Sequence, residues 1–307
     1  MSRPISWPSE GQSDPKAARA REEAVNTLFA PELPARRLSD LVLSAETEKQ
    51  LKTALAKVQF HKALYQDWGL ESIHPEGRGV ALNLYGPPGT GKTFAAEAIA
   101  DHLKKGIIRV DYAQLESRFV GDTPKNIAAA FSAARATGSV LFFDEADSVL
   151  SRRVTNNTQA ADYGVNISRS TLLLELDSFE GVVIFATNLG MNYDAAFVRR
   201  ILAHIHFPLP DETALVRLWR YHLPAKLPLA PDVTAEVLAR ESIGLSGGDV
   251  LNVVILAASG ALEQGATQVR LGDFTGALAQ VRRAKAEIGQ GMGERTWVVN
   301  DLLDQTK

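Results

Sequence analysis

Gly86-Pro87-Pro88-Gly89-Thr90-Gly91-Lys92-Thr93 stands between an apolar run, Ala81 to Tyr85, and a helix-forming run, Phe94 to His102. Strand, glycine-rich turn and helix, in that order, are the context in which a G-x-x-x-x-G-K-T segment holds phosphate. The glycines let backbone N–H groups wrap an anion, and the start of the helix adds a favourable dipole. Lys92 offers an ammonium to the β- and γ-phosphates, and Thr93 a hydroxyl to magnesium. A Gly/Pro-rich turn ending in Lys-Thr by coincidence would not need that strand and that helix around it.

Working outward, further apolar runs recur at Ile107 to Val110, Val140 to Phe143 and Val182 to Ala186, with helix-length segments between them. Short continuous runs alternating with helices predict a parallel sheet buried on both faces. Val140-Leu141-Phe142-Phe143 ends in Asp144-Glu145, which puts two carboxylates at the C-terminal edge of a strand, where open α/β sheets bind ligands. Asp144 would hold the magnesium shell and Glu145 would act as general base on the attacking water. Asp147, three residues further on, reads equally as a charge at a helix N-terminus or as a site residue. The run at Val182 ends in Thr187-Asn188. Asn188 is placed to orient the water or touch the γ-phosphate, although strand-end amides of this kind commonly serve only their own hydrogen bonding.

The 307 residues divide into an arm rich in Pro and Ser at 1–36, with a short helical pattern around Ala17 to Phe29, a large α/β domain at 37–210, and a helical domain at 211–307. Past Pro208 and Pro210 helical periods dominate, in Thr213 to His222, Val233 to Arg240 and Gly247 to Leu262. With 33 basic and 36 acidic residues, a formal charge of -3, the chain has no global pull toward nucleic acid or anionic membranes. The absence of cysteine excludes disulfides and thiolate chemistry and is compatible with a reducing compartment, so the expected location is cytoplasmic. No apolar run is long enough to span a bilayer, and the first residues do not form a secretory signal. His204 and His206 share a strand face, but no third metal ligand is suggested.

Taken together, these motifs resemble the AAA proteins proper, within the AAA+ superfamily, over roughly Leu38 to Ala284. The likeness is nearest to the branch containing katanin, spastin and the ATPase that dismantles membrane-scission filaments; length and motifs also resemble bacterial stand-alone AAA proteins. Thr187-Asn188 is similar to the family's first sensor, and Asp194-x-Ala196-x-x-Arg199-Arg200 to that branch's paired arginine fingers. Many other AAA proteins space the two arginines by Pro-Gly, which would put the second at Leu202. Without the resemblance, Arg199 and Arg200 read as a basic helix end.

The resemblance implies a P-loop NTPase sheet flanked by helices and followed by a small all-helical lid. It implies ATP and Mg2+ as ligands and self-assembly into a ring, a hexamer in the family. Ser117 to Thr123 resembles the first pore loop, with Phe119, Val120 and Gly121 facing the channel, where Phe119 would grip a protein substrate. On the residues alone, an aromatic beside valine is more often core, and the adjoining Gly-Asp-Thr-Pro-Lys favours a loop. Arg152 to Gln159 falls at the second pore loop, or is simply a solvated loop. Asp40 and Leu41 match the segment bordering adenine, and Gly247 and Gly248 the opening of the lid helix, which lacks the arginine of branches with a second sensor. The implied function is a protein-remodelling ATPase; the alternatives are a nucleotide-gated assembly factor or scaffold, and a DNA-associated loader. Substrate choice would rest on the arm or on a separate adaptor.

Overall fold

Alternation along an interior strand decides what the sheet packs against. In β1 (Val80–Tyr85) Ala81 joins one apolar cluster, while Val80, Leu82 and Leu84 join another on the opposite face. The computed structural model describes residues 29–73, 79–111, 123–151, 160–188 and 193–289. The helical pattern at Ala17, the residues Phe119, Val120 and Gly121, and the stretch Arg152 to Gln159 lie outside them.

The other strands are β2 (Ile107–Asp111), β3 (Val140–Asp144), β4 (Val182–Thr187) and β5 (Ala203–His206). Their order is β2-β3-β4-β1-β5, with every pairing parallel. One face carries α1 (Ala45–Gln59) and α2 (Lys92–His102), whose Leu51, Leu55, Ala96 and Ile99 meet Leu82, Phe142 and Ile184. The other carries α3 (Thr123–Thr137) and α5 (Ala160–Ser178), packing Phe131 and Leu172 against Phe143 and Phe185. Between β3 and α5 lies the short α4 (Asp147–Leu150), and α6 (Ala195–Val198) precedes β5. This is the expected doubly covered parallel sheet. Both faces are apolar because both are covered, which is why the strands read as continuous runs.

Beyond the sheet come α7 (Glu212–His222), α8 (Ala235–Glu241), α9 (Gly247–Glu263) and α10 (Leu271–Gly289). They enclose a separate cluster around Trp219, Leu238, Val250, Val253 and Phe274. The indole N–H of Trp219 donates to Ser242 Oγ at 2.8 Å, so this large buried ring leaves no polar atom unpaired. Helix α10 was not among the helical periods read above. Its Phe274, Ala277, Leu278 and Val281 are buried at the spacing of one helix face. Helix α9 starts at a capping box in which Ser246 and Asp249 exchange hydrogen bonds, as its Ser-x-x-Asp opening requires. No helix among the described residues is long and apolar enough to cross a membrane.

Candidate functional site

The strand order brings three C-terminal strand ends side by side: Asp144 on β3, Thr187 on β4 and Tyr85 on β1. The chain leaves β1 through Gly86, which has φ 147° and an amide that donates to Thr187 O at 3.3 Å. A Cβ on Gly86 would lie 2.2 Å from the Phe207 carbonyl oxygen, so no side chain fits. Gly89 (φ 75°) and Gly91 (φ 98°) are also left-handed, and Gly91 caps α2. This backbone is the one a phosphate cradle needs: amides turned inward, with no Cβ in the way.

Lys92 is buried, and its ammonium donates to the carbonyls of Gly86 at 2.8 Å and Pro87 at 2.9 Å. It lies folded against the loop it serves. Burial lowers its pKa from 10.5 to about 8, while the carboxylates of Asp147 and Asp144 act in the opposite direction. Thr93 Oγ1 donates to Asp144 Oδ2 at 3.1 Å, although β3 and β1 are two strands, roughly 10 Å, apart in the sheet. A hydroxyl and a carboxylate converging beside the loop are the hard oxygen donors magnesium prefers, so these residues fit that ion. Glu145 is exposed and holds a left-handed backbone (φ 50°), with its amide donating to Asp144 Oδ1 at 3.0 Å. A glutamate in that conformation is strained by about 1–3 kcal/mol, and such strain concentrates at functional sites.

Asn188 follows β4, and its amide donates to both carboxylate oxygens of Asp147, each at 3.1 Å. Beneath it Thr187 Oγ1 pairs with Tyr193 Oη at 2.7 Å and with Asn83 Oδ1 at 3.3 Å. Asn83, fully buried in β1, also meets His204 Nδ1 at 3.2 Å, and burial lowers the pKa of His204. Thr187 and His204 stood out in the sequence, but Asn83 and Tyr193 did not, because a single Asn within an apolar run carries no periodic signal.

Beside the loop opens a mainly apolar cavity of about 350 Å³. Asp40 and Leu41, Gly89 to Gly91, and Gly247 and Gly248 all line it, so three segments expected at the nucleotide from the sequence meet here. Other walls were not foreseen, among them Phe94 from α2, the Pro208-Leu209-Pro210 segment, and Leu218 and Tyr221 from α7. Size and lining suit a planar base and its sugar.

Arg199 and Arg200 are at the other end of the sheet. They line a cavity of about 290 Å³ with Gly79 and Val80, and the nearby Leu202 amide bonds Ala81 O at the N-terminal end of β1. Five residue steps along β1, roughly 17 Å, separate that edge from the phosphate loop. Arg200 is engaged within the chain, its Nε and Nη2 donating to Asp177 at 2.6 and 2.8 Å. Arg199 is exposed.

A phosphate cradle leaving an interior strand of a parallel sheet, with a hydroxyl–carboxylate pair beside it, defines the class of P-loop nucleotide-binding proteins. Residues 82–209, from within β1 to the cavity wall, match the family described as "ATPase family associated with various cellular activities (AAA)". This sheet-bearing segment is a AAA-family ATPase domain. The chain is 32% identical to the proteasome-activating nucleotidase of Methanopyrus kandleri over 249 residues, 79% of this chain and 55% of that protein. It is 32% identical to the 26S proteasome regulatory subunit 8 homolog of Encephalitozoon cuniculi over 254 residues, 80% and 63%. To the cell division cycle protein 48 homolog of Archaeoglobus fulgidus it is 40% identical over 181 residues, 56% and 24%. The chain spans about half the length of the curated nucleotidases it matches.

Proposed function

We propose that this protein hydrolyses ATP with magnesium and uses the cycle to remodel a protein substrate within a ring of its own subunits. The convergence of Lys92, Thr93 and Asp144 at one sheet edge, under a cavity that reaches the lid helix, carries the hydrolytic part. The loop amides and Lys92 would grip the triphosphate, with Lys92 exchanging its two loop carbonyls for phosphate oxygens. Thr93 and Asp144 would hold the magnesium ion, which supplies charge neutralisation along the phosphates. Glu145 takes a proton from the attacking water, and Asn188 orients that water.

The edge-to-edge separation of Arg199 from the phosphate loop supports a finger acting in trans. An arginine there serves a neighbour's site in a head-to-tail ring, and not the site of its own chain. The adjacent Arg199-Arg200 pair supports placement beside the katanin-like branch, whereas the relatives above carry the names of nucleotidases, a proteasome subunit and a cell division cycle protein. Those names, nucleotidases that activate proteasomes among them, support a polypeptide as the substrate. In this reading 37–210 holds the nucleotide, 211–307 is the lid, and Phe119, Val120 and Gly121 grip the polypeptide. Location in the cytoplasm follows the same reading.

The test is Phe119→Ala in purified, self-associated protein. Phosphate release should persist while unfolding of a fluorescent protein substrate stops. Unfolding that continues would remove threading and leave the nucleotide-gated scaffold.

A further inference from the structure

Asp147 opens α4, three residues past Asp144, yet its carboxylate is directed across to the next strand end. Both its oxygens accept the same N–H, that of Asn188, which is 41 residues away in sequence. The neighbouring backbone is fixed by other means. Ala146 N donates to Ala186 O at 3.0 Å, and Thr187 is held through its hydroxyl by Tyr193 and Asn83. Position 188 is a bend just past the end of β4, so the direction of its side chain depends on what its own backbone amide is tied to. The Asp147 carboxylate is that tie.

We propose that Asp147 is a positioning residue for hydrolysis, fixing the Asn188 backbone so that the Asn188 amide side chain presents to the attacking water. The proposal rests on the reading of Asn188 given above. A carboxylate suits this place because both oxygens accept, whereas an asparagine would turn an NH2 toward the N–H on one side. A glutamate would displace the acceptor by one methylene. The field of Asp147 also reaches Lys92, so a purely electrostatic role must be told apart from a positioning one.

Four proteins decide it: wild type, Asp147→Ala, Asn188→Ala and the double variant, with Asp147→Asn as the conservative control. Single-turnover hydrolysis, affinity for a fluorescent ATP analogue and amide exchange of the β4 peptide are measured on each. Asp147→Ala should slow turnover by about tenfold or more with affinity little changed, and should raise exchange at the end of β4. Asp147→Asn should recover part of the rate. The double variant should be no slower than Asn188→Ala, the non-additivity expected of residues acting as one unit. Fully multiplicative losses, or lost affinity with an unchanged rate, would place Asp147 with Lys92 and overturn the proposal. A wild type that releases no phosphate would fail the hydrolytic reading itself; one that hydrolyses no faster than Asp147→Ala overturns this proposal alone.

Discussion

Gly248, in the first turn of α9, donates its backbone N–H to the carbonyl oxygen of Gly89 in the phosphate loop at 3.0 Å. Two cores far apart in sequence thus meet through backbone, beside the cavity that Gly89 and Gly248 both line. The two residues differ in what they tolerate. A Cβ on Gly89 would fall 2.5 Å from Ser246 Oγ and occupy a left-handed backbone, whereas one on Gly248 meets Gly89 only at ordinary contact distance, 3.4 Å.

Gly89→Ala is therefore expected to push α9 off the loop. Backbone strain of about 1–3 kcal/mol falls on the geometry that receives phosphate, and ATP affinity should drop by about tenfold or more. Gly248→Ala should stay within about threefold of wild type, a difference of under about 1 kcal/mol. Titration with a fluorescent ATP analogue compares the two; equal losses would show that the contact with Ser246 is not what matters.

Lys92 gives the pH dependence a definite sign. Burial lowers its pKa from 10.5 to about 8. Below about pH 8 the ammonium is charged in folded and unfolded chains alike. Between about 8 and 10.5 the unfolded chain still holds the proton that the folded chain has released, so raising the pH favours the folded state across that window. ATP binding should respond the other way, because the triphosphate needs the charged form: affinity should fall by up to about tenfold per pH unit above 8. Denaturant titrations at both ends of the window, and ATP titrations across it, check the two signs. Lys92→Met should flatten the stability difference.

The fold was legible largely because its strands are buried on both faces. Val80–Tyr85, Val140–Asp144 and Val182–Thr187 are largely apolar runs that end at the edge of the sheet where the glycine-rich loop, Asp144 and Thr187 meet. The phosphate loop was legible because its function is local, confined to eight consecutive residues. The walls of the cavity beside it were not, since Phe94, Leu209, Leu218 and Tyr221 are brought together only by the docking of the C-terminal helices beside the sheet. Asp147 marks the same boundary. Its type and spacing left two roles open, and only the path of β4 shows that it reaches Asn188. Helix α10 carries its periodic signal over only two turns, Phe274 to Val281, before the exposed Arg282, Arg283 and Lys285.

Glu145 holds an unfavourable φ at the mouth of the site, with its side chain exposed toward solvent. Replacing it by glutamine preserves volume and hydrogen bonding but removes the base. Single-turnover hydrolysis by Glu145→Gln should fall by about 10²- to 10⁴-fold, with ATP affinity retained. Normal turnover would require another base.

The separation of Arg199 from Lys92 by the full height of the sheet makes the last prediction one about assembly. In a head-to-tail ring each interface combines one subunit's phosphate loop with its neighbour's Arg199. Arg199→Ala should lower turnover by about 10³- to 10⁵-fold, the effect of a missing finger, while nucleotide affinity and thermal stability stay close to wild type. Arg200→Ala should differ, since it also loses the exposed pair with Asp177, worth about 0–1 kcal/mol. Mixing discriminates further. Arg199→Ala subunits keep an intact base, and Glu145→Gln subunits keep an intact finger. A mixed ring therefore contains interfaces where a working Glu145 meets a working Arg199, and phosphate release should reappear on mixing two nearly inactive preparations. If the arginine served its own chain, no mixed interface would be complete and the mixture would stay inactive. The rate per subunit should also rise with protein concentration in wild type; a rate independent of concentration down to the monomer would refute a finger supplied by the neighbour.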